Sequence, residues 1–289
     1  MNYAKDFNLE KIVRCALEED IGRGDITTNL TIPTNSRINA VIIAKERGIL
    51  CGIDIARLVF KKIDNAVKFS SPLKDGATIY KGRVVAKIYG QPRSILSSER
   101  VALNFLSFLS GIATRTRVFV KKVKPFNVKI LDTRKTLPGL RALEKYALRV
   151  GGGFNHRFCL DEMILIKENH IDVAGWEKIS ETLKSVKAIN KPKIKIEIEA
   201  RNLKEFEGAL FLKPDIIMLD NMSTKDIREA VRLRNKIVTG TGMPEPKLEA
   251  SGNIGLNNIV AYASSGIDFI SLGTLTKDID SLDFSLEVK

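Results

Sequence analysis

The feature that most constrains this chain is the regular alternation that sets in after Pro125. Apolar strand-like runs occur at 127–132 (NVKILD), 163–167 (MILIK), 193–199 (KIKIEIE), 215–220 (DIIMLD), 247–251 (KLEAS) and 267–273 (IDFISLG). Segments with helical periodicity separate most of them, at 139–150, 175–190, 203–212, 224–235 and 256–265. Repeated strand–helix units at this spacing build a parallel sheet or barrel with helices over its outer face.

The strand ends narrow the choice. Each run finishes in residues that a buried strand has no structural reason to carry: Asp132–Thr133–Arg134–Lys135, Lys167, Glu199, Asp220–Asn221, Ser251–Gly252, and Ser271 to Gly273. In a β/α barrel the C-terminal ends of the strands form one mouth, where catalytic groups converge. An open doubly wound sheet would concentrate its ligand groups at a switch point instead, so the spread over six strands favours the barrel.

Charge at that mouth raises a question. The stretch 132–157, DTRKTLPGLRALEKYALRVGGGFNHR, carries six Arg or Lys against two acids. Two like charges about 4 Å apart repel by roughly 4 kcal/mol at an effective dielectric near 20, so gathering Arg134, Lys135, Arg157 and Lys167 at one rim requires anions. Glu199 and Asp220 offset part of this. A strongly anionic substrate, with a metal on the acidic side, resolves the rest. Arg141, Lys145 and Arg149, spaced by four, read as one solvated helix face, with Arg141 near enough to its start to reach the mouth.

His156 and His170 are the only histidines. Their separation fits no HxxxH zinc pair, and no cysteine supports one. In GGGFNHR the glycines let backbone approach a ligand, and His156 reads as a substrate contact with His170 behind it. No Walker A motif, dinucleotide fingerprint or GxSxG elbow is present.

Up to about residue 98 the texture differs. Short β-like runs at 38–44, 67–70 and 84–89 lie between turns, with helical periodicity at 9–19 and 54–63, which suggests a small α+β domain. Residues 99–123 read as one domain-joining helix or as two broken near Gly111. The three scattered cysteines suggest no disulfide framework, and the charged N-terminus with no long apolar run points to a cytoplasmic protein. The net charge of +13 lacks the basic stripe with interleaved aromatics that nucleic-acid binding would show, so neither nucleic acid nor membrane is an expected partner.

Several of these blocks together resemble a known family. DTRKTLPGLRALEKYALRVGGGFNHR, LIKENH at 165–170, LDN at 219–221 and LEASGNI at 248–254 are similar to the quinolinate phosphoribosyltransferases, as are EEDIGRGDITT, SSERVALNFLSFLSGIATRT and ISLGTLT. The likeness covers essentially the whole chain. It implies an N-terminal α/β-sandwich domain (1–112, completed by 275–289) and an incomplete seven-stranded α/β barrel (113–274). The implied reaction joins quinolinate to phosphoribosyl pyrophosphate, with Mg²⁺, and releases pyrophosphate and CO₂ to give nicotinate mononucleotide for NAD synthesis. Both substrates are polyanions, which answers the question of the crowded cations.

By the same resemblance, Arg134, Lys135, His156, Arg157 and Lys167 hold carboxylates and phosphates, and Lys135 and Lys167 are catalytic together with Glu199 and Asp220. The latter two form an acidic pair near the ribose hydroxyls and Mg²⁺. Ser251, Gly252, Ser271 and Gly273 match the loops for the 5′-phosphate, while Thr133, Asn169 and His170 support these contacts from behind. Arg100 resembles an arginine lent by a neighbouring subunit, which implies a homo-oligomer, dimer or hexamer, with shared active sites. Two positions depart from the family pattern. Lys277 stands where relatives commonly have histidine, and Asn253 where many have a second glycine. A molybdenum-transport-associated paralogue shares the TRK…PG…GG…HR pattern, but EKYA at 144–147 and LIKENH favour the quinolinate enzyme. A lipoyl or biotin carrier reading of 75–90 fails for want of an Asp-Lys or Met-Lys hairpin tip.

Overall fold

The computed structural model describes residues 9–34, 36–189 and 194–289. The opening MNYAKDFN, Asn190 at the end of the expected helix 175–190, and Lys193 at the start of the expected third strand lie outside the described residues. The chain divides into two compact units. The first comprises the residues up to Val118 with Lys135–Gly152 and Leu275–Lys289; the second comprises Phe119–Arg134 and Gly153–Thr274.

In the first unit an antiparallel sheet is ordered β12-β1-β5-β3, from β1 (Ile38–Ala44), β3 (Lys68–Ser70), β5 (Val84–Gly90) and β12 (Phe284–Val288). Alternation along β1 buries Ala40, Ile42 and Ala44 on one face. Two short strands absent from the sequence reading, β2 (Gly48–Ile49) and β4 (Thr78–Ile79), pair beside it. Helix α1 (Leu9–Ile21) packs on α3 (Ile53–Ile63), and α2 (Ile26–Thr31) lies between them in sequence. The apolar stripe of α3 buries Ile55, Ala56, Val59 and Phe60.

The start of α3 is capped from a distance. Asp75 accepts hydrogen bonds from the Gly52 and Ile53 backbone N–H groups at 2.9 and 3.1 Å, and from the Tyr146 hydroxyl at 2.7 Å. Tyr146 lies on α5 (Arg141–Gly151), so one carboxylate ties that helix to the first unit. The same helix corrects the solvated-face reading: Lys145 and Glu144 are fully buried.

The long helix α4 (Pro92–Val123) runs for 32 residues, so of the two readings of this segment the single helix holds. Gly111 is there for space, because a Cβ on it would lie 2.5 Å from the Asp280 carbonyl oxygen. Among the described residues no helix is long and apolar enough to cross a membrane.

The second unit is a parallel sheet ordered β6-β11-β10-β9-β8-β7. Its strands are β6 (Lys129–Leu131), β7 (Ile164–Ile166), β8 (Ile196–Ala200), β9 (Ile216–Asp220), β10 (Lys247–Ser251) and β11 (Phe269–Ser271). Between them run α6 (Glu168–Ile189), α7 (Leu203–Phe211), α8 (Thr224–Thr241) and α9 (Ile259–Ala263), and the short α10 (Thr274–Lys277) follows β11. The start of α6 precedes the expected position and the helix is interrupted at Gly175. Its neighbours are capped by side chains: Asn202 accepts from Glu205 N–H and Ser223 from Asp226 N–H.

The barrel is incomplete, as the family resemblance implies, but six strands are present among the described residues rather than seven. Where a further strand would pair with β6 there is one parallel bridge, between Leu131 and Phe154. Residues beyond it give their backbone N–H groups to side chains instead: His156 N–H to Asp132, Arg157 N–H to His156 and Phe158 N–H to Glu162. Donors engaged in this way cannot extend a ladder.

Candidate active site

Register decides which side chains share the inner face. Glu199 pairs with Met218, Met218 with Glu249, Asp220 with Ser251, and Ser251 with Ser271. With a period of two, Glu197, Glu199, Asp220, Glu249, Ser251 and Ser271 belong to one side of the sheet. Glu199 and Glu249 both flank Met218, and their contacts divide the set into two levels.

The upper level is the rim. The Lys167 ammonium reaches Glu199 at 3.1 Å, with Lys167 half-exposed and Glu199 nearly buried. Burial raises the Glu199 carboxyl to about pKa 7, with contributions from a hydrogen bond shared with Glu168 and from the charge of Asp220, against the lowering pull of Lys167. Glu168 moves the other way and is held below its ordinary value, mainly by the Glu199 hydrogen bond. Asp220 accepts from the Asn221 amide at 2.6 Å, and Asn253 donates to Asn221 at 3.0 Å. Asn221 and Asn253 both have left-handed backbone, which Asn tolerates. Gly252 is required beside them, since it has φ +91° and a Cβ would lie 2.2 Å from the Asn221 side-chain oxygen.

The lower level is a sealed floor. His156 Nε2 lies 2.9 Å from Glu197 and 3.8 Å from Glu249, and both carboxyls are inaccessible to solvent. Ser271 donates its hydroxyl to Glu249. Burial lifts Glu197 to about pKa 7 and Glu249 to about 8, the latter helped by the charge of Glu197. Two carboxylates this close and this dry share a proton rather than ionise together.

His156, Glu197 and Glu249 bring three potential metal-ligand atoms within 4.8 Å of one another. The hydrogen bonds argue for a different arrangement. His156 Nδ1 accepts from the Arg157 backbone N–H at 2.8 Å, so the ring proton of a neutral imidazole resides on Nε2 and is donated to Glu197. That leaves no lone pair on Nε2 for a metal.

The remaining expected residues divide as follows. Arg157 is half-buried, donates to the Met163 carbonyl at 3.1 Å, and is held below its ordinary pKa by burial and by the nearby charge of Arg134. His170 Nδ1 accepts from the Lys167 backbone N–H at 2.9 Å, which shapes the turn into α6, and Asn169 donates to Glu168. Thr133 and Gly273 are half-buried at the ends of β6 and β11. Lys135 is exposed and belongs to the first unit, where its carbonyl accepts from the buried Thr276 hydroxyl at 2.6 Å. Arg100 is exposed on α4, also in the first unit.

Residues 25–110 match the sequence model of the quinolinate phosphoribosyl transferase N-terminal domain, and residues 112–287 that of its C-terminal domain. The chain belongs to the quinolinate phosphoribosyltransferase family. A Methanocaldococcus jannaschii protein named a probable nicotinate-nucleotide pyrophosphorylase (carboxylating) is 43% identical over 286 residues, 98% of each chain. A Nicotiana tabacum quinolinate phosphoribosyltransferase (decarboxylating) is 38% identical over 98% of this chain and 83% of its own. Among solved structures, the nicotinate-nucleotide pyrophosphorylase of Francisella tularensis superposes with a TM-score of 0.89 at 41% identity, covering 97% of this chain and 96% of that one.

Within this quinolinate phosphoribosyltransferase family fold, the sequence reading missed Glu197 and Glu249. The signal was present: in IEIEA both acids alternate with isoleucines in a run buried on both sides, so Glu197 had to share the inward face with Glu199. Asp132, a strand end by its sequence, is fully buried and accepts from His156 N–H.

Proposed function

We propose that this protein transfers the phosphoribosyl group of phosphoribosyl pyrophosphate to quinolinate with decarboxylation, giving nicotinate mononucleotide, pyrophosphate and CO₂ in de novo NAD synthesis. The observation that carries the reading is the rim, in a chain of this family: the Lys167 ammonium meets Glu199 at 3.1 Å beside the charge of Asp220, a cation for an anionic substrate next to an acidic side for a ribose.

Arg134, Arg157 and Lys167 take the quinolinate carboxylates and Lys135 the diphosphate, by charge-assisted hydrogen bonds. The loops after β10 and β11, with Ser251, Gly252 and Gly273, receive the 5′-phosphate. Ser271 points its hydroxyl at Glu249, so its part there is to shape the strand end.

Glu199 and Asp220 fit Mg²⁺. Their donors are carboxylate oxygens, and the mutual repulsion that helps raise Glu199 is what a divalent cation would relieve. Bound there with the substrate's phosphates, Mg²⁺ would neutralise the pyrophosphate leaving group. As the C1–oxygen bond breaks, positive charge develops on the ribose, and the Glu199 and Asp220 carboxylates stabilise it. The pyridine nitrogen, held by the two carboxylate clamps, attacks C1. Loss of the 2-carboxyl as CO₂ leaves an electron pair on the ring carbon beside the cationic nitrogen, and that carbon takes up one proton. Orientation is the protein's main contribution to this last step.

The test is direct. Purified protein with both substrates and Mg²⁺ is expected to form nicotinate mononucleotide, pyrophosphate and CO₂ in equal amounts, and chelation of the metal to stop it. Product from nicotinate, with none from quinolinate, would overturn the assignment.

The family resemblance also supports a homo-oligomer whose sites each borrow Arg100 from a partner. If so, co-expressing two inactive variants, Arg100→Ala and Lys135→Ala, restores roughly a quarter of wild-type activity, because half of the randomly paired dimers then hold one intact site. Mixed dimers with no recovery would rule out the sharing.

A further inference from the structure

His156, Arg157 and Phe158 form the turn that presents the Arg157 guanidinium, and it is held in an unusual way. Three consecutive backbone N–H groups end on side-chain acceptors. His156 N–H donates to Asp132 Oδ1 at 2.8 Å, Arg157 N–H to His156 Nδ1 at 2.8 Å, and Phe158 N–H to Glu162 Oε2 at 2.5 Å. The imidazole in the middle is itself fixed at its other nitrogen by Glu197 at 2.9 Å. Asp132 and Glu197 are fully buried and come from different places, just past the end of β6 and near the start of β8.

Nothing in ordinary turn chemistry demands three such acceptors in a row. Backbone donors in a loop can be satisfied by water, and burying two carboxyls is costly unless they make strong contacts. The turn, however, must hold Arg157 close enough to Arg134 for each to feel the other's charge. Left free, the guanidinium would swing away from that repulsion, and an incoming dianion would have to bring it back at a cost in affinity.

We propose that Asp132, Glu162 and Glu197 are positioning residues: together they clamp the 156–158 turn, with His156 as the link from Glu197 to the backbone of Arg157, so that Arg157 is already aimed at the dicarboxylate before it binds. In this arrangement His156 serves the site through the backbone it holds. Its ring nitrogens are engaged by Glu197 and by Arg157 N–H, and its side chain is only 8% exposed. Either protonation state of Glu197 leaves an oxygen to accept from Nε2–H, so the role depends on geometry and not on charge. The inference rests on the quinolinate reading given above.

Steady-state kinetics on five proteins separates the possibilities: wild type, Glu197→Gln, Glu197→Leu, Glu162→Gln and Glu162→Ala. KM for quinolinate and for phosphoribosyl pyrophosphate, kcat and Tm are measured for each. Glu197→Leu is expected to raise the quinolinate KM at least tenfold with the phosphoribosyl pyrophosphate KM within about twofold, and Glu197→Gln, which keeps an acceptor, to stay within about threefold of wild type. Glu162→Ala, at a half-buried position where folding is not at stake, is expected to raise the quinolinate KM about three- to tenfold with Tm unchanged, and Glu162→Gln to restore it. A purely structural role would lower Tm and leave the two KM values moving together. The proposal fails if Glu162→Ala and Glu197→Leu leave the quinolinate KM at the wild-type value. It fails equally if Glu197→Gln is as impaired as Glu197→Leu, since charge would then be what matters. Wild type that makes no nicotinate mononucleotide would reject the assigned reaction itself, an outcome read from the same assay before any variant is compared.

Discussion

The rim and the floor of the parallel sheet are built from the same residue types on the same inward face, and they do opposite things. At the rim, Glu199 meets a half-exposed lysine, a second carboxyl in Glu168 and the charge of Asp220, all within reach of solvent. On the floor, Glu197 and Glu249 meet a histidine and a serine and no solvent at all. Burial raises the pKa of all three acids into the range of about 7 to 8. A raised pKa therefore does not by itself mark a catalytic group. What separates the levels is access: a rim carboxyl can exchange its partners for a substrate, whereas a floor carboxyl can only hold what already touches it.

Substitutions at the two levels sharpen that contrast. The largest effects are expected from Lys167→Ala at the rim and from Arg157→Ala, each of which loses at least about a hundredfold in kcat/KM while melting near the wild type, because each removes a charge-assisted contact to a bound anion. Near-normal turnover by either would remove that residue from the site. On the floor the pattern should invert. Glu249→Ala leaves a cavity and strands the Ser271 hydroxyl, a loss of about 2–4 kcal/mol read by denaturant titration, with kcat/KM changed less than the rim variants. Equal losses of rate at the two levels would erase the distinction.

Ligands probe the rim alone. Quinolinate at about a hundred times its Kd should stabilise the native protein by about 2.7 kcal/mol, phosphate more weakly, and nicotinamide hardly at all, as thermal shifts will show. The pH dependence probes the floor. Glu249 keeps its proton to about pH 8 in the fold but only to about 4.5 when unfolded, so between these values the native state binds more protons. Its contribution to stability is thus fully present below about 4.5, declines as pH rises and is gone above about 8. Glu249→Gln, permanently neutral, should flatten the fall in stability from pH 6 to 8 by about 1–3 kcal/mol, and an unchanged slope would mean that the acid is ionised in the fold. The smallest effect is reserved for Lys184→Ala, exposed on α6, which should change stability by less than about 0.5 kcal/mol and leave kinetics alone.

How much of this was legible in the sequence follows the same division. The rim could be read directly, because Lys167, Glu199 and Asp220 terminate apolar runs, and the C-terminal end of a barrel strand is where a polar side chain reaches the mouth. The floor was harder. Glu197 and Glu249 sit inside those runs, where their neighbours identify a strand but not which partners wait across the sheet; Asp132, His156 and Ser271 arrive from distant segments. Lys145 was misread for a related reason. Spacing by four places residues on one helix face but does not say whether the face is covered, and α5 is packed into the first unit with Lys145 inside. Gly111 left two readings open, because a residue that weakens helices in isolation is kept here for the approach of Asp280, which no local pattern reveals. The strands β2 and β4, two residues each, carry too little periodicity to be read at all.

The order of the antiparallel sheet has a consequence for how the chain is made. Strand β1 pairs on one side with β5, some fifty residues later, but on the other with β12, residue for residue from Ala40↔Val288 to Ala44↔Phe284. A ribosome adding about 5–20 residues per second needs on the order of tens of seconds to travel from one to the other. Throughout that interval the strand INAVIIA offers an unpaired, apolar edge, the kind of edge that recruits other chains. The second unit, whose sequence is complete at Thr274, can close before the first has its last strand. The antiparallel sheet begun first is thus the one completed last, and its open edge lasts until β12 has been made.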